Sequence, residues 1–158
     1  MANNTESKKA VFAAGCFWGV ESTFQQMDGV KSTTVGYIGG KVKNPSYELV
    51  CTGLTGHAEA VEIVYNPNEV TFEKLVDTFF ELHDPTTLNR QGPDIGTQYR
   101  SAAYFSNDDE KQIIESKINT LNESGKFTSK IVTEIEAISD FYNAEDYHQD
   151  YYKKRGID

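Results

Sequence analysis

Lys8-Lys9-Ala10-Val11-Phe12-Ala13-Ala14-Gly15-Cys16-Phe17-Trp18-Gly19-Val20 is the stretch on which the reading of this chain turns. Residues 8–14 form a short apolar run closed by a glycine, which reads as a strand. From Phe17 onward the apolar residues Val20, Phe24 and Met27 recur at helical spacing, so residues 17–27 read as a helix. Cys16 therefore sits at a strand-to-helix turn. There the free backbone N–H groups and the helix dipole favour an anion, so the expected form of the sulfur is the reactive thiolate. Gly15 and Gly19 permit a tight turn and close approach of a ligand to the backbone. Phe17 and Trp18 read as an apolar wall beside the sulfur, suited to a small apolar group. A cysteine that is merely a small buried hydrophobe fits the same turn, and the stretch alone leaves both readings open.

Working outward, Val30–Ile38 reads as a strand rich in Thr, Val and Tyr, ended by Gly39-Gly40. Residues 41–55 read as a loop, with Asn44-Pro45 opening a short helical turn through Cys51. Residues 57–66 read as a strand, with Ala58 and Ala60 on one face and Glu59, Val61 and Ile63 on the other. Residues 71–83 give the clearest helix, with Phe72, Leu75, Val76, Phe79, Phe80 and His83 on one stripe. A long polar loop follows over 84–96, then a strand over 98–105 and a helix over 108–122 capped by Ser106 or Asn107. A strand over 131–138 and a last helix over 144–154 complete the pattern. The order β-α-β-β-α-β-α-β-α is not that of a doubly wound sheet. It predicts an α+β fold, a two-layer α/β sandwich with a mixed β-sheet and a ferredoxin-like core. Residues 1–7 read as a flexible polar tail and 8–158 as a single catalytic domain.

The bulk properties narrow the function classes. A chain of 158 residues with 38% hydrophobic and 12% aromatic residues has enough apolar material for a core. A formal charge of −9 argues against nucleic acid or an anionic membrane as partner. No apolar run approaches a membrane span, and the first ten residues lack the apolar region of a signal peptide. The expected compartment is a reducing cytoplasm, where Cys16 and Cys51 remain unpaired. His57, His83 and His148 show no metal-ligand spacing with the cysteines, so no metal site is expected.

A cysteine nucleophile needs partners that move protons. Two segments offer them. Residues 47–59 carry Tyr47, Cys51, His57 and Glu59, and residues 94–100 carry Asp94, Gln98, Tyr99 and Arg100. On the core face, Glu59 would be desolvated and held protonated near neutral pH, as reduction of an X=O group requires. On an open face it would be an ordinary solvated carboxylate. Tyr37, Tyr47 and Tyr99 suit packing with a hydroxyl at the rim, His57 and His148 suit satisfied hydrogen bonds, and Asp94 suits a turn. An enzyme, a redox-switch module and a Cys-His hydrolase using His57 or His148 all remain compatible with these residues.

The chain resembles the A-class peptide methionine sulfoxide reductases in ordered blocks along nearly its whole length. These are Gly15-Cys16-Phe17-Trp18-Gly19, Gly36-Tyr37-Ile38-Gly39-Gly40, Pro45-Ser46-Tyr47-Glu48 with Val50-Cys51, and Thr55-Gly56-His57-Ala58-Glu59. His83-Asp84-Pro85-Thr86, Asp94-Ile95-Gly96-Thr97-Gln98-Tyr99-Arg100-Ser101, Phe141-Tyr142 and residues 144–149 continue the series. The resemblance implies thiol-dependent reduction of the S epimer of methionine sulfoxide, free or in oxidised proteins, as a route of oxidative-damage repair. It implies Cys16 as nucleophile passing through a sulfenic acid, and Phe17 and Trp18 as the pocket for the substrate methyl. Glu59 would be the proton donor, Tyr47 and Tyr99 its hydrogen-bonding helpers, and Asp94 a buried acid positioning the site. The expected reductant is an external thiol such as thioredoxin or dithiothreitol, with no cofactor, no metal and a monomeric chain. Many members resolve the sulfenic acid with cysteines near the C-terminus. This sequence has none after Cys51, so either an external thiol reduces Cys16 directly or Cys51 is the resolving residue.

Overall fold

The computed structural model describes residues 7–155. The expected polar tail therefore lies, except for Ser7, outside the described residues. Strands β1 (Lys8–Ala14), β2 (Val30–Ile38), β3 (Ala58–Tyr65), β6 (Ser101–Phe105), β7 (Glu134–Ala137) and β8 (Phe141–Asn143) form one sheet. Their order is β7-β6-β1-β3-β2-β8. Only the β6–β7 pair is parallel; the other neighbours run antiparallel, so the sheet is mixed. With helices α1 (Phe17–Gln25) and α3 (Phe72–Glu81), the path β1-α1-β2-β3-α3-β6, with strands in the order β6-β1-β3-β2, is the ferredoxin-like core.

Helices α1 (Phe17–Gln25), α3 (Phe72–Glu81) and α4 (Asp108–Ser124) supply the second layer. Phe12 of β1 is the centre of the packing. Its ring stacks on Phe24 of α1 at 5.6 Å, on Phe72 at 6.0 Å and on Phe79 of α3 at 5.0 Å. The stripe Leu75, Val76, Phe79 and Phe80 is buried as its spacing requires. Thr71 caps α3 by accepting from the Lys74 N–H, and Asn107 caps α4 by accepting from the Glu110 N–H. The opposite face of the sheet buries a smaller cluster that includes Val11, Ile38, Ala60 and Tyr104. Strand β1 is thus covered on both faces, which is why its sequence is continuously apolar.

Several sequence expectations are corrected. The polar loop over 84–96 contains a two-stranded hairpin, β4 (Arg90–Gln91) paired with β5 (Asp94–Ile95). Residues 97–99 form a single 3-10 turn, so β6 begins only at Ser101. Residues 131–133 lie outside β7. The short helix α2 (Tyr47–Cys51) is capped by Ser46, whose hydroxyl accepts from the Leu49 N–H, rather than by Asn44-Pro45. The expected helix over 144–154 is a 3-10 turn (Asp146–His148) followed by the short α5 (Tyr151–Lys154). Side-chain bonds to the main chain override helical propensity there. Gln149 donates to the carbonyls of Val35 and Ala144 and accepts from the Val35 N–H. Buried Glu21 accepts from the Asp150 N–H and the Thr33 hydroxyl. The segment after β8 is thereby strapped across β2 and α1.

The strap depends on a close crossing at Gly36, which pairs with Asn143. A Cβ there would lie 2.4 Å from the Tyr142 carbonyl oxygen and 2.5 Å from the Phe141 ring. Gly36→Ala is therefore expected to destabilise the fold by about 1–3 kcal/mol through overpacking. An unchanged urea midpoint would show that β8 yields without cost.

Candidate active site

Gly15 makes the turn out of β1 with φ of +93°, and a Cβ on it would meet Gln91 of the hairpin at 2.8 Å. Cys16 is the residue before α1, and it is half-buried. The backbone N–H groups of Trp18 and Gly19 favour its anion, as the turn predicts. Burial outweighs them, and the carboxylates of Glu59 and Asp94 add to it, so the thiol is pushed up to about 11. The expected resting thiolate is corrected to a thiol. Its anion-binding amides are in place but insufficient without a further change in the site.

Glu59 is 1% exposed. It lies opposite Tyr37 in the β2–β3 register and shares its face with Val61 and Ile63, under the start of α1. The Phe17 N–H donates to Oε1 at 3.2 Å, while Oε2 is buried with no partner among the described residues. Burial raises the carboxyl to about 8, against the lowering by the Phe17 N–H and with a further push from Asp94. The core-face alternative left open by the alternation is the one adopted, because the first turn of α1 caps the strand at this position.

Phe17 is buried and packs against Tyr37 at 5.8 Å and Tyr47 at 6.3 Å. Trp18 is half-buried and stacks on Tyr151 of the strap at 3.7 Å, with ring planes 6° apart. Its indole Nε1–H donates to His148 Nδ1 at 3.0 Å. Because indole is only a donor, Nδ1 of His148 must accept, which places the proton of the neutral ring on Nε2. Burial lowers the His148 pKa, in keeping with that neutral form. His57 bonds the Gly40 N–H and the Val42 carbonyl. His57 is thus a satisfied structural residue, whereas His148 Nε2 is buried with no partner among the described residues, and neither ring hydrogen-bonds Cys16.

Tyr47 opens α2 and Cys51 closes it, one helical turn apart on the same side. Burial, then the neighbouring Cys51 and the charge of Glu59, raise the Tyr47 phenol. Tyr99 ends the 3-10 turn, and burial followed by the charge of Glu59 raises it to about 12. Both phenols are therefore neutral donors at physiological pH. Asp94 is half-buried on β5 rather than buried, yet its charge acts on Cys16, Glu59 and Tyr99. The structure thus gathers Cys16, Glu59, Tyr47, Tyr99 and Asp94, with Phe17 and Trp18 beside them. Cys51 lies at the rim, exposed, and its thiol is also free.

Sequence reasoning missed Glu145 and Tyr151. Glu145 Oε1 accepts from the Tyr37 hydroxyl at 2.9 Å, and Oε2 accepts from the Tyr47 N–H at 3.0 Å. Glu145 lies in the 144–149 block of the resemblance, where no role was assigned to it, and Tyr151 lies just beyond that block in an aromatic-rich segment read as a helix. Two clefts of about 450 and 600 Å³ lie elsewhere, against α1 and between α3 and α4, and contain none of these residues. Among the described residues no group of three or more His, Cys, Asp or Glu side chains is arranged to hold a metal.

The family model for peptide methionine sulfoxide reductase matches residues 8–157. The chain belongs to the peptide methionine sulfoxide reductase family. It is 54% identical over 147 residues to the peptide methionine sulfoxide reductase MsrA of Methanothermobacter thermautotrophicus, covering 93% of this chain and 87% of that one. Among solved structures, the reduced form of Mxr1 from Saccharomyces cerevisiae superposes with a TM-score of 0.87 at 38% identity. That match covers 99% of this reductase and 90% of Mxr1. Mxr1 in complex with Trx2 matches with a TM-score of 0.63 at 27% identity, covering 96% and 88% of the two chains. The α+β fold and the reduction of methionine sulfoxide expected from the sequence are those of this family. No helix among the described residues is long and apolar enough to cross a membrane.

Proposed function

We propose that this reductase acts on the S epimer of methionine sulfoxide, free or in oxidised proteins, with Cys16 as nucleophile and Glu59 as proton donor. The observation that carries the reading is the division of labour on Glu59. One oxygen is held by the Phe17 N–H, and the other is buried, without a partner among the described residues, beside the turn that bears the sulfur. A carboxyl raised to about 8 keeps its proton at neutral pH and offers it to the sulfoxide oxygen. Tyr47 and Tyr99 hydrogen-bond the same oxygen. Phe17 and Trp18 accept the methyl, which leaves one epimer with its oxygen toward the acid. As the oxygen takes the Glu59 proton, the Cys16 sulfur attacks the substrate sulfur and its own proton passes to Glu59. The S–O bond of the substrate then breaks, the oxygen with its proton bonds to the Cys16 sulfur as the transient bond between the two sulfurs breaks, and methionine leaves with Cys16 held as a sulfenic acid. The cysteine sulfur is oxidised by two electrons and the substrate sulfur reduced by two, so no cofactor is required in this half of the cycle.

An external thiol then returns Cys16 to the thiol. A thioredoxin-like protein suits this role, since Mxr1 is known in complex with Trx2 and the overall fold is shared. The two free thiols, Cys16 and Cys51, suit a reducing cytoplasm. Single turnover of S-methionine sulfoxide without reductant tests the reading. One thiol lost per methionine formed is the expected result, whereas loss of both makes Cys51 the resolving residue. No methionine at all would overturn the assignment of Cys16.

Cys51→Ser is expected to keep turnover within about twofold with dithiothreitol as reductant, as for exposed substitutions in general. Serine preserves a polar partner beside Tyr47. A steady-state assay showing a large loss would place Cys51 in the cycle.

A further inference from the structure

Tyr99 stands between two side chains that reach away from it in different directions. Gln98, 5% exposed, donates through Nε2 to the carbonyl of Cys51 at 3.3 Å, at the end of the helix that carries Tyr47. Arg100 has a side chain only 12% exposed, and its guanidinium makes three bonds. Nη2 donates to the Gly56 carbonyl at 2.9 Å, just before the strand that carries Glu59. Nη1 donates to the Thr97 carbonyl at 2.9 Å, which also receives the Arg100 backbone N–H and so closes the turn bearing Tyr99. Nε donates to Glu134 Oε1 at 3.1 Å on β7, anchoring the group to the sheet.

From this geometry we infer that Gln98 and Arg100 are positioning residues that clasp the segments bearing Tyr47, Tyr99 and Glu59 into one spacing. The inference rests on the proton-handling roles proposed for those three groups. The three belong to a short helix, a single 3-10 turn and the start of a strand. No regular hydrogen-bond ladder links these segments to one another, so side chains must set their separation. The planar fork of arginine bonds two carbonyls at once in fixed directions, which the single ammonium of lysine cannot do. The orientation of Tyr99 and Glu59 toward a shared oxygen is then fixed before substrate arrives, as preorganisation requires.

Arg100→Lys keeps the charge and the stem and removes the fork. Its expected effect is a fall in kcat of about 10- to 100-fold with KM changed by less than about threefold, because small misplacements of reacting groups carry costs of that order. Tyr99→Phe measured alone tests the role of Tyr99; combining it with Arg100→Lys tests the clasp. If the clasp acts through Tyr99, the two losses fail to multiply. Losses that multiply, an unchanged kcat, or a change confined to KM would overturn the inference. Where Arg100→Lys lowers the melting temperature too far to assay, Gln98→Met in the same cycle gives the same readout with all charges retained.

Discussion

Cys16→Ser is expected to stop turnover, with a loss on the order of 10⁴-fold or more, as for removal of a catalytic nucleophile. The serine hydroxyl is nearly isosteric with the thiol but far less nucleophilic, and it cannot be oxidised to hold the substrate oxygen. Fold stability should be retained, because Cys16 makes no side-chain cap on α1 and a serine at that position is a favourable cap. The check is chromatographic measurement of methionine from the S epimer with dithiothreitol in excess, together with the thermal midpoint. A variant of wild-type stability that still turns over at more than about one hundredth of the wild-type rate would remove Cys16 from the reaction.

Glu59→Gln is expected to lower kcat by about 10²- to 10⁴-fold with little change in KM, since the acid acts where charge develops on the oxygen. Glutamine retains an acceptor for the Phe17 N–H, so the start of α1 stays docked. The pH dependence is equally specific. Wild-type kcat/KM should fall as pH rises through about 8, where Glu59 of the free enzyme gives up its proton, and the variant should lack that limb. A rate that instead climbs above pH 8 would mean that the thiolate, not the protonated pair, is the reacting form. Stability carries the same signature. The folded carboxyl titrates near 8 and the unfolded one near 4.5, so the folded state binds the extra proton between them. Its contribution is fully present below about 4.5 and is lost as pH rises through about 8. Denaturant midpoints of the wild type should decline over that window more steeply than those of Glu59→Gln.

The mapping of sequence onto site was uneven for physical reasons. Residues 71–83 and 8–14 were legible because their apolar spacing answers directly to one core. The segments that present Tyr99 and the strap residues were not, because they are held by single side chains reaching distant carbonyls. Gln149 to Val35 and Arg100 to Gly56 are bonds between residues far apart in the chain, and no local pattern encodes them. The hairpin at 90–95 is too short to show an alternation.

What the sequence by itself determined is the order of the core elements β1-α1-β2-β3-α3-β6, the ferredoxin-like arrangement they imply, and the identity of Cys16, Phe17, Trp18, Glu59, Tyr47, Tyr99 and Asp94 as candidates. Only the tertiary structure decided the protonation of Cys16 and Glu59. The turn at Cys16 argues for a thiolate and the charge of Glu59 for solvent. Packing of α1 over β3 reverses both, because desolvation disfavours each anion more than the local N–H groups favour it.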